Sequence, residues 1–352
     1  MKRFEQLLDV LQTEGKLPRE GWLYLLERSG EAFRRAAAER ASALTLARFG
    51  RGVFIRGIVE FSNCCVNDCF YCGIRCSNRK AERYRLSEQE ILACCAAGYG
   101  WGFRTFVFQS GEDPLWGCDR LCALVRSVKE LFPDCAVTLS VGELPEEAYK
   151  RLFDAGADRY LLRHESADPE HFAMIHPARQ KLASRLACLD ALKRIGFQTG
   201  CGFMVGTPGQ TFAHLACDME FISTFRPHMI GIGPFIPHRD TPFGGEKHGS
   251  GELTLLLLSL CRIMRPDVLL PATTALGTLL PEGREQGILA GANVIMPDLS
   301  PADVRRKYAL YEGKSLVDPG TAGVLKSDLQ KKLDAIGRHI VIGRGDYGDR
   351  SC

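Results

Sequence analysis

Three cysteines spaced Cys65-x3-Cys69-x2-Cys72 lie in the run Phe61-Ser62-Asn63-Cys64-Cys65-Val66-Asn67-Asp68-Cys69-Phe70-Tyr71-Cys72-Gly73, just after the strand-like stretch Val53 to Glu60. Iron–sulfur cubanes are ordinarily held by four protein thiolates. A triplet without a regularly spaced fourth partner leaves one iron open to an exchangeable ligand, and chemistry would start there. A second arrangement uses the flanking cysteines: Cys64, Cys69, Cys72 and Cys76 could close a tetrahedral zinc site. Zinc ribbons usually present two knuckles, however, and the chain has no second C-x2-C. A disulfide framework fits poorly. Fifteen cysteines in 352 residues with no signal peptide read as a reduced, cytoplasmic chain.

The elements that must position this loop follow from periodicity. Apolar or β-branched runs occur at Val53 to Phe61, Arg104 to Gln109, Ala136 to Val141, Arg159 to Arg163, Gln198 to Val205, Met229 to Gly233, Leu269 to Ala272 and Asn293 to Met296. Between them lie amphipathic stretches such as Lys181 to Ile195 and Glu252 to Arg265. Strands alternating with helices predict parallel βα units. Eight such units predict a closed α/β barrel of the (β/α)8 type with its active site where the strands end; a doubly wound sheet is the alternative. Residues 1–50 read as an N-terminal helical extension, 51–317 as the barrel and 318–352 as a C-terminal extension whose last residues, Gly343 to Cys352, look loose. Gly343-Arg344-Gly345-Asp346-Tyr347-Gly348 matches G-x-G-x-x-G, but a dinucleotide fingerprint must open a helix inside a βαβ unit. The hexapeptide therefore reads as a flexible terminus.

The formal net charge is +3 with charges interspersed, so no basic stripe suits a phosphate backbone and nucleic acid is not expected as a partner. The longest apolar run, Leu253 to Met264, is broken by Ser259, Cys261 and Arg262. It is too short for a bilayer, and no membrane partner is expected.

The cysteine spacing and the aromatic before Cys72 resemble the signature of the radical S-adenosylmethionine (SAM) superfamily. Within it the chain resembles the HydE family of FeFe-hydrogenase maturases. The matching stretches are Tyr71-Cys72-Gly73-Ile74-Arg75, Arg83-Tyr84-Arg85, Gln109-Ser110-Gly111-Glu112-Asp113-Pro114 and Asp158 to Glu165, followed by Met204 to Thr211, Gly231 to His238, Pro271 to Thr278 and Gly291 to Pro297. Biotin synthase and methylornithine synthase are related barrels. The resemblance implies a 4Fe-4S cluster on Cys65, Cys69 and Cys72, with SAM on the open iron. An electron then breaks the sulfonium to give a 5′-deoxyadenosyl radical. It also implies a small organometallic iron substrate supplied by the partner maturase HydG, and an electron donor such as a ferredoxin or flavodoxin. An iron–sulfur carrier that never turns SAM over is the reading from a different class.

The resemblance carries over residue by residue. Tyr71, Gln109 and the Ser110-Gly111-Glu112 turn help seat SAM, and Ser140, Glu165 and Arg185 line its site. A carboxylate suits the ribose or ammonium, and a guanidinium suits the SAM carboxylate. Taken alone, Arg185 would read as a solvated helical arginine. Arg159 and Arg163 share a strand at i, i+4 and so point to one side. With Arg56 they would face an anionic ligand in the barrel, or else pair with buried carboxylates at its floor. Thr273, Thr274 and Tyr308 add hydroxyls to that pocket, though the threonines could equally cap a turn. His164 reads as a hydrogen-bonded structural residue, while His171 and His176 have no assignment. Some HydE members hold an accessory 2Fe-2S cluster near the C-terminus, but Ser315 to Leu325 has no cysteine, so none is expected there.

Overall fold

The computed structural model describes residues 2–314 and 322–348; the cysteine-free stretch 315–321 lies outside them. Its first strand shows how the barrel is written into the sequence. β1 (Gly52–Ile55) and β2 (Gly57–Ser62) form one extended run. Val53, Ile55, Val59 and Phe61 join the main core outside the sheet. Phe54 belongs to a separate small core with Met229, Leu269 and Val294, and Ile58 and Glu60 line an interior cavity. A period of two on a pleated strand thus sends one set, wholly apolar, to the helix layer and the alternate set, Phe54, Ile58 and Glu60, to the other face.

β3 (Thr105–Ser110), β4 (Ala136–Ser140), β5 (Arg159–Leu161), β6 (Gln198–Cys201), β7 (Met204–Val205), β8 (Met229–Ile230), β9 (Gly233–Pro234) and β10 (Val294–Ile295) follow. β2-β3-β4-β5-β6-β8 pair in parallel, and β7 pairs with β9. Single bridges Met229↔Leu269 and Pro271↔Val294 carry the circuit through the seventh run to β10, which pairs with β1. The sheet closes into the expected (β/α)8 barrel. Its seventh strand is reduced to those bridges, and buried Arg262 ties that side together by donating to the carbonyls of Pro266, Val268 and Gly291 and to Asn293.

Helices fill the connections. Glu88–Gly100, which follows the cysteine loop, starts at a reciprocal cap: Ser87 accepts from the Glu90 amide, and the Glu90 carboxylate accepts from the Ser87 amide. Three N-terminal helices, Lys2–Glu14, Arg19–Glu27 and Glu31–Phe49, bury Phe4, Leu8, Leu11, Trp22, Leu25 and Leu26. They pack against the barrel helices Phe212–Phe225 and Gly251–Met264. Among the described residues no helix is long and apolar enough to cross a membrane.

The C-terminal residues correct three expectations. β11 (His339–Val341) pairs in parallel with β1 at Gly52 to Phe54, so this segment adds a strand beside the barrel's own first strand. Gly343 to Gly348 then seals the floor instead of hanging loose. Asp346 accepts from Arg159 at 2.5 Å and Gln198 at 2.8 Å, Arg344 reaches Asp158 at 2.7 Å, and the Gly345 carbonyl accepts from Arg56 at 3.2 Å. Arg159 and Arg56 are therefore floor residues and do not join Arg163 in a ligand cavity. Arg159 is 0% exposed, and its charge is balanced by Asp346.

Burial alone would raise the Asp346 carboxyl, but Arg159 and Arg344 outweigh it and bring it down to about 2. A depressed carboxylate stabilises the fold above its unfolded value and loses that contribution as pH falls from about 4 toward 2. Asp346→Asn strands a buried guanidinium and should cost about 3 kcal/mol, read as a lower urea midpoint at pH 7. The gap between variant and wild type should close as the pH is lowered through that window.

Candidate metal centre

β2 delivers the chain at Ser62 into a loop that returns at Leu86, and a loop this long must satisfy its backbone carbonyls without a ladder. One side chain does much of this. Arg83 donates to the carbonyls of Asn63 (2.6 Å), Ile74 (2.8 Å), Arg75 (2.6 Å) and Asn78 (3.2 Å). Asn63 donates to the Glu82 and Lys307 carbonyls and accepts from the Tyr84 amide. Asp68 accepts from Arg75 and Ser77, and Asn78 donates to the Gly73 carbonyl. Asp113, just past β3, takes a two-pronged contact from Arg85 and the Ser62 hydroxyl. Two glycines allow the loop's closest approaches. A Cβ on Gly111 would stand 2.4 Å from the Cys64 carbonyl oxygen, and one on Gly73 2.0 Å from that of Ala309.

Cys65, Cys69 and Cys72 interact with one another at the mouth of the barrel. The Cys65 sulfur accepts from the Asn67 amide at 3.3 Å, and the Cys69 sulfur lies 3.3 Å from the Gln180 amide oxygen. Burial pushes the Cys69 thiol up to about 12 and raises Cys65 and Cys72 too. Three ionised sulfurs here need cationic compensation, which iron supplies. The alternative zinc set does not converge. Cys64 turns to the Tyr84 carbonyl at 3.8 Å, while Cys76 is exposed beside Arg179. Among the described residues no three Cys, His, Asp or Glu side chains close around one ion.

The strand ends arrange the remaining residues around the triplet. Gln109 bonds the hydroxyl of Tyr308, which is buried near Cys72. Glu112 accepts from the Glu143 amide at 2.9 Å, and burial raises its carboxyl. Ser110 donates to the Gly111 carbonyl, and Ser140 pairs in register with Gln109. Glu165 sits at φ 64°, unusual for a residue with a Cβ, and its carboxylate lies 3.0 Å from Arg163. Arg185 is buried rather than solvated. It donates to Glu143 at 2.6 Å and to the Arg163 carbonyl at 2.7 Å; burial lowers its pKa, but Glu143 and Tyr71 outweigh that, and the net shift is upward. Thr273 occupies the N-cap position of helix Thr274–Leu279 without a side-chain cap bond, and its buried hydroxyl has no hydrogen-bond partner among the described residues.

Several contributors carried no sequence signal. Glu60, 2% exposed, meets Lys314 at 2.6 Å and bonds Asp298; burial pushes its carboxyl up to about 8 despite the lysine. Thr274, Asp298, Arg305 and Lys314 line the same interior cavity, and a cleft of about 330 Å³ bounded by Arg305, Tyr308 and Lys314 opens beside it. His176 accepts from the Tyr71 hydroxyl at 3.0 Å. His171 bonds Ser166 and Thr207, and His164 bonds Asp218, all away from the cysteines. Gly111→Ala should force the Cys64 backbone off its seat and halve or worse the iron retained per chain after anaerobic reconstitution, with little change in far-UV circular dichroism.

The Radical SAM superfamily model matches residues 59–222, spanning the triplet and the strands that follow it. The [FeFe] hydrogenase maturase subunit HydE of Thermotoga maritima is 41% identical over 345 residues, 98% of this chain and 97% of that one. Among solved structures, methylornithine synthase superposes with a TM-score of 0.81 at 24% identity, covering 95% of this chain and 97% of its own. The FeFe-hydrogenase maturase HydG from Carboxydothermus hydrogenoformans also gives 0.81, at 18% identity, over 100% of this chain and 82% of that one. Those two likenesses concern the fold. Loop, barrel and near full-length identity together place the chain in the HydE family of radical SAM enzymes, which work with a 4Fe-4S cluster and SAM.

Proposed function

We propose that this protein acts in FeFe-hydrogenase maturation by turning SAM into a radical reagent for a small iron-containing substrate inside the barrel. The observation that carries this reading is the set of three half-buried cysteines at the strand ends, next to a lumen rich in polar side chains, in a chain 41% identical to a HydE. When bound, the cluster supplies one electron to SAM, and the resulting adenosyl radical is the reagent. The residues divide the remaining work.

Glu112 and Glu165 offer carboxylates to the ammonium and ribose of SAM. Arg185, held by Glu143, offers a cation to its carboxylate. Tyr71, Gln109, Ser110, Gly111 and Ser140 complete that wall. Beside that wall, Arg163, Thr273, Thr274 and Tyr308 suit an anionic complex bearing carbonyl and cyanide, because hydroxyls and guanidinium donate hydrogen bonds to it without competing for its iron. Lys314 and Arg305 bring positive charge beside Thr274, where Lys314 also meets Glu60. The substrate would come from HydG, and the electron from a ferredoxin- or flavodoxin-like donor. Residues 51–317 form the catalytic unit, with the flanking segments as extensions.

Reductive SAM cleavage tests the enzyme reading. Anaerobically reconstituted wild type should release 5′-deoxyadenosine under dithionite, and Cys69→Ala should fall at least 100-fold; equal rates would remove the cluster assignment. A defined maturation mixture tests the biology. Hydrogenase activity should require this protein, and Arg163→Ala should lower it at least tenfold while SAM cleavage without substrate persists.

A further inference from the structure

We propose that Glu143 is a positioning residue for SAM: its carboxylate holds Arg185 and its amide holds Glu112, so that cation and carboxylate meet the amino acid end of the ligand as one fixed pair. The inference rests on the reading that Arg185 and Glu112 serve the carboxylate and ammonium of SAM.

Glu143 lies just past β4, in a stretch with no ladder to hold it, and two buried tyrosines supply the missing restraint. The Tyr160 hydroxyl donates to the Gly142 carbonyl at 2.7 Å, and the Leu144 amide donates to the Tyr149 hydroxyl at 2.9 Å. Both tyrosines are 0% exposed, and their rings meet edge-on with centroids 5.1 Å apart. The backbone is thus pinned on either side of Glu143. Gly142 stands at φ 86°, and a Cβ on it would come within 2.0 Å of Glu112 Cγ. Glycine here lets the Glu112 side chain lie against the loop, where its Oε1 accepts from the Glu143 amide at 2.9 Å.

The Glu143 carboxylate engages both of its oxygens at the start of helix Leu182–Ile195. Oε1 accepts from Arg185 Nε at 2.6 Å, and Oε2 accepts from the Ser184 hydroxyl at 2.7 Å. Arg185 Nη1 donates to the Arg163 carbonyl, which leaves Nη2 without a partner among the described residues. A guanidinium is planar, so fixing Nε and Nη1 fixes the direction of Nη2. With side chains only 8% and 20% exposed, the Arg185–Glu143 pair is weakly screened by water. One residue therefore ties the turn after β3 and a helix after β5 to a single loop, and sets the distance between their charges.

The test is the ligand affinity of anaerobically reconstituted, unreduced protein, measured by equilibrium dialysis. The probes are SAM and 5′-methylthioadenosine, which keeps the adenosine and lacks the amino acid end. Glu143→Ala should raise the Kd for SAM about tenfold, the usual effect of losing one charge-assisted hydrogen bond, and leave that for methylthioadenosine within about twofold. Glu143→Gln, whose side-chain oxygen can still accept from Arg185 Nε, should recover most of the loss. Because the side chain acts through Arg185, Glu143→Ala/Arg185→Ala should bind SAM no worse than Arg185→Ala. Equal losses for the two ligands would show general damage and overturn the proposal. So would a double variant weaker than Arg185→Ala, no recovery in Glu143→Gln, or an unchanged SAM Kd in Glu143→Ala beside a weakened Arg185→Ala. If Glu143→Ala takes up no iron, Glu143→Asp decides. It keeps the charge but falls one methylene short of Arg185, so a loss confined to SAM supports the proposal and no loss overturns it. Arg185→Ala and Glu112→Ala that both bind SAM like wild type would instead remove the underlying reading of those two residues.

Discussion

The shape of the cysteine loop depends on one guanidinium. Arg83 gathers four backbone carbonyls from both arms of the loop and ties those arms together. Charge-assisted hydrogen bonds to carbonyls are among the stronger polar contacts in proteins. Four of them in one place give an irregular segment a defined form without a helix or strand. Asp68, Asn63 and the Asp113–Arg85 contact extend that order to the strand ends. Three sulfurs can then be presented together, close to where the barrel strands deliver Gln109, Ser140 and Glu165.

The lumen is divided between its two ends. At the floor Arg159, Arg344, Asp158 and Asp346 neutralise one another, and the C-terminal segment closes the barrel. At the mouth Arg163 and Glu165 pair beside the cysteines. Arg159 and Arg163 illustrate the division, since they lie on one face of the same run. A separation of four residues amounts to about 13 Å along a strand, enough to put one in the foundation and the other in the site. The usual economy of such barrels holds here, with stability at the amino ends of the strands and chemistry at the carboxyl ends.

The sequence was most informative where the physics is local or periodic. The apolar run Val53 to Phe61 marks the first strand, and the cysteine spacing marks the loop. Depth within the barrel was not legible: a shared strand face shows that Arg159 and Arg163 point the same way but not what lies opposite. Asp346, the partner of Arg159, is 187 residues away, in a hexapeptide whose glycines suggested looseness. Those glycines in fact supply tight turns, Gly345 and Gly348 having φ of 57° and 99°. Arg83, His176 and Lys314 escaped for the same reason. Each acts through contacts with distant segments, and nothing in a local window distinguishes such a residue from one in solvent.

The central claim is that three cysteines hold a cubane whose fourth iron is free to bind SAM. Mössbauer spectroscopy on iron-labelled, anaerobically reconstituted protein before and after SAM addition tests it most directly. The account predicts that one iron site of the four separates from the others when SAM binds, through its amino and carboxylate groups. Four sites that stay equivalent in saturating SAM would contradict it.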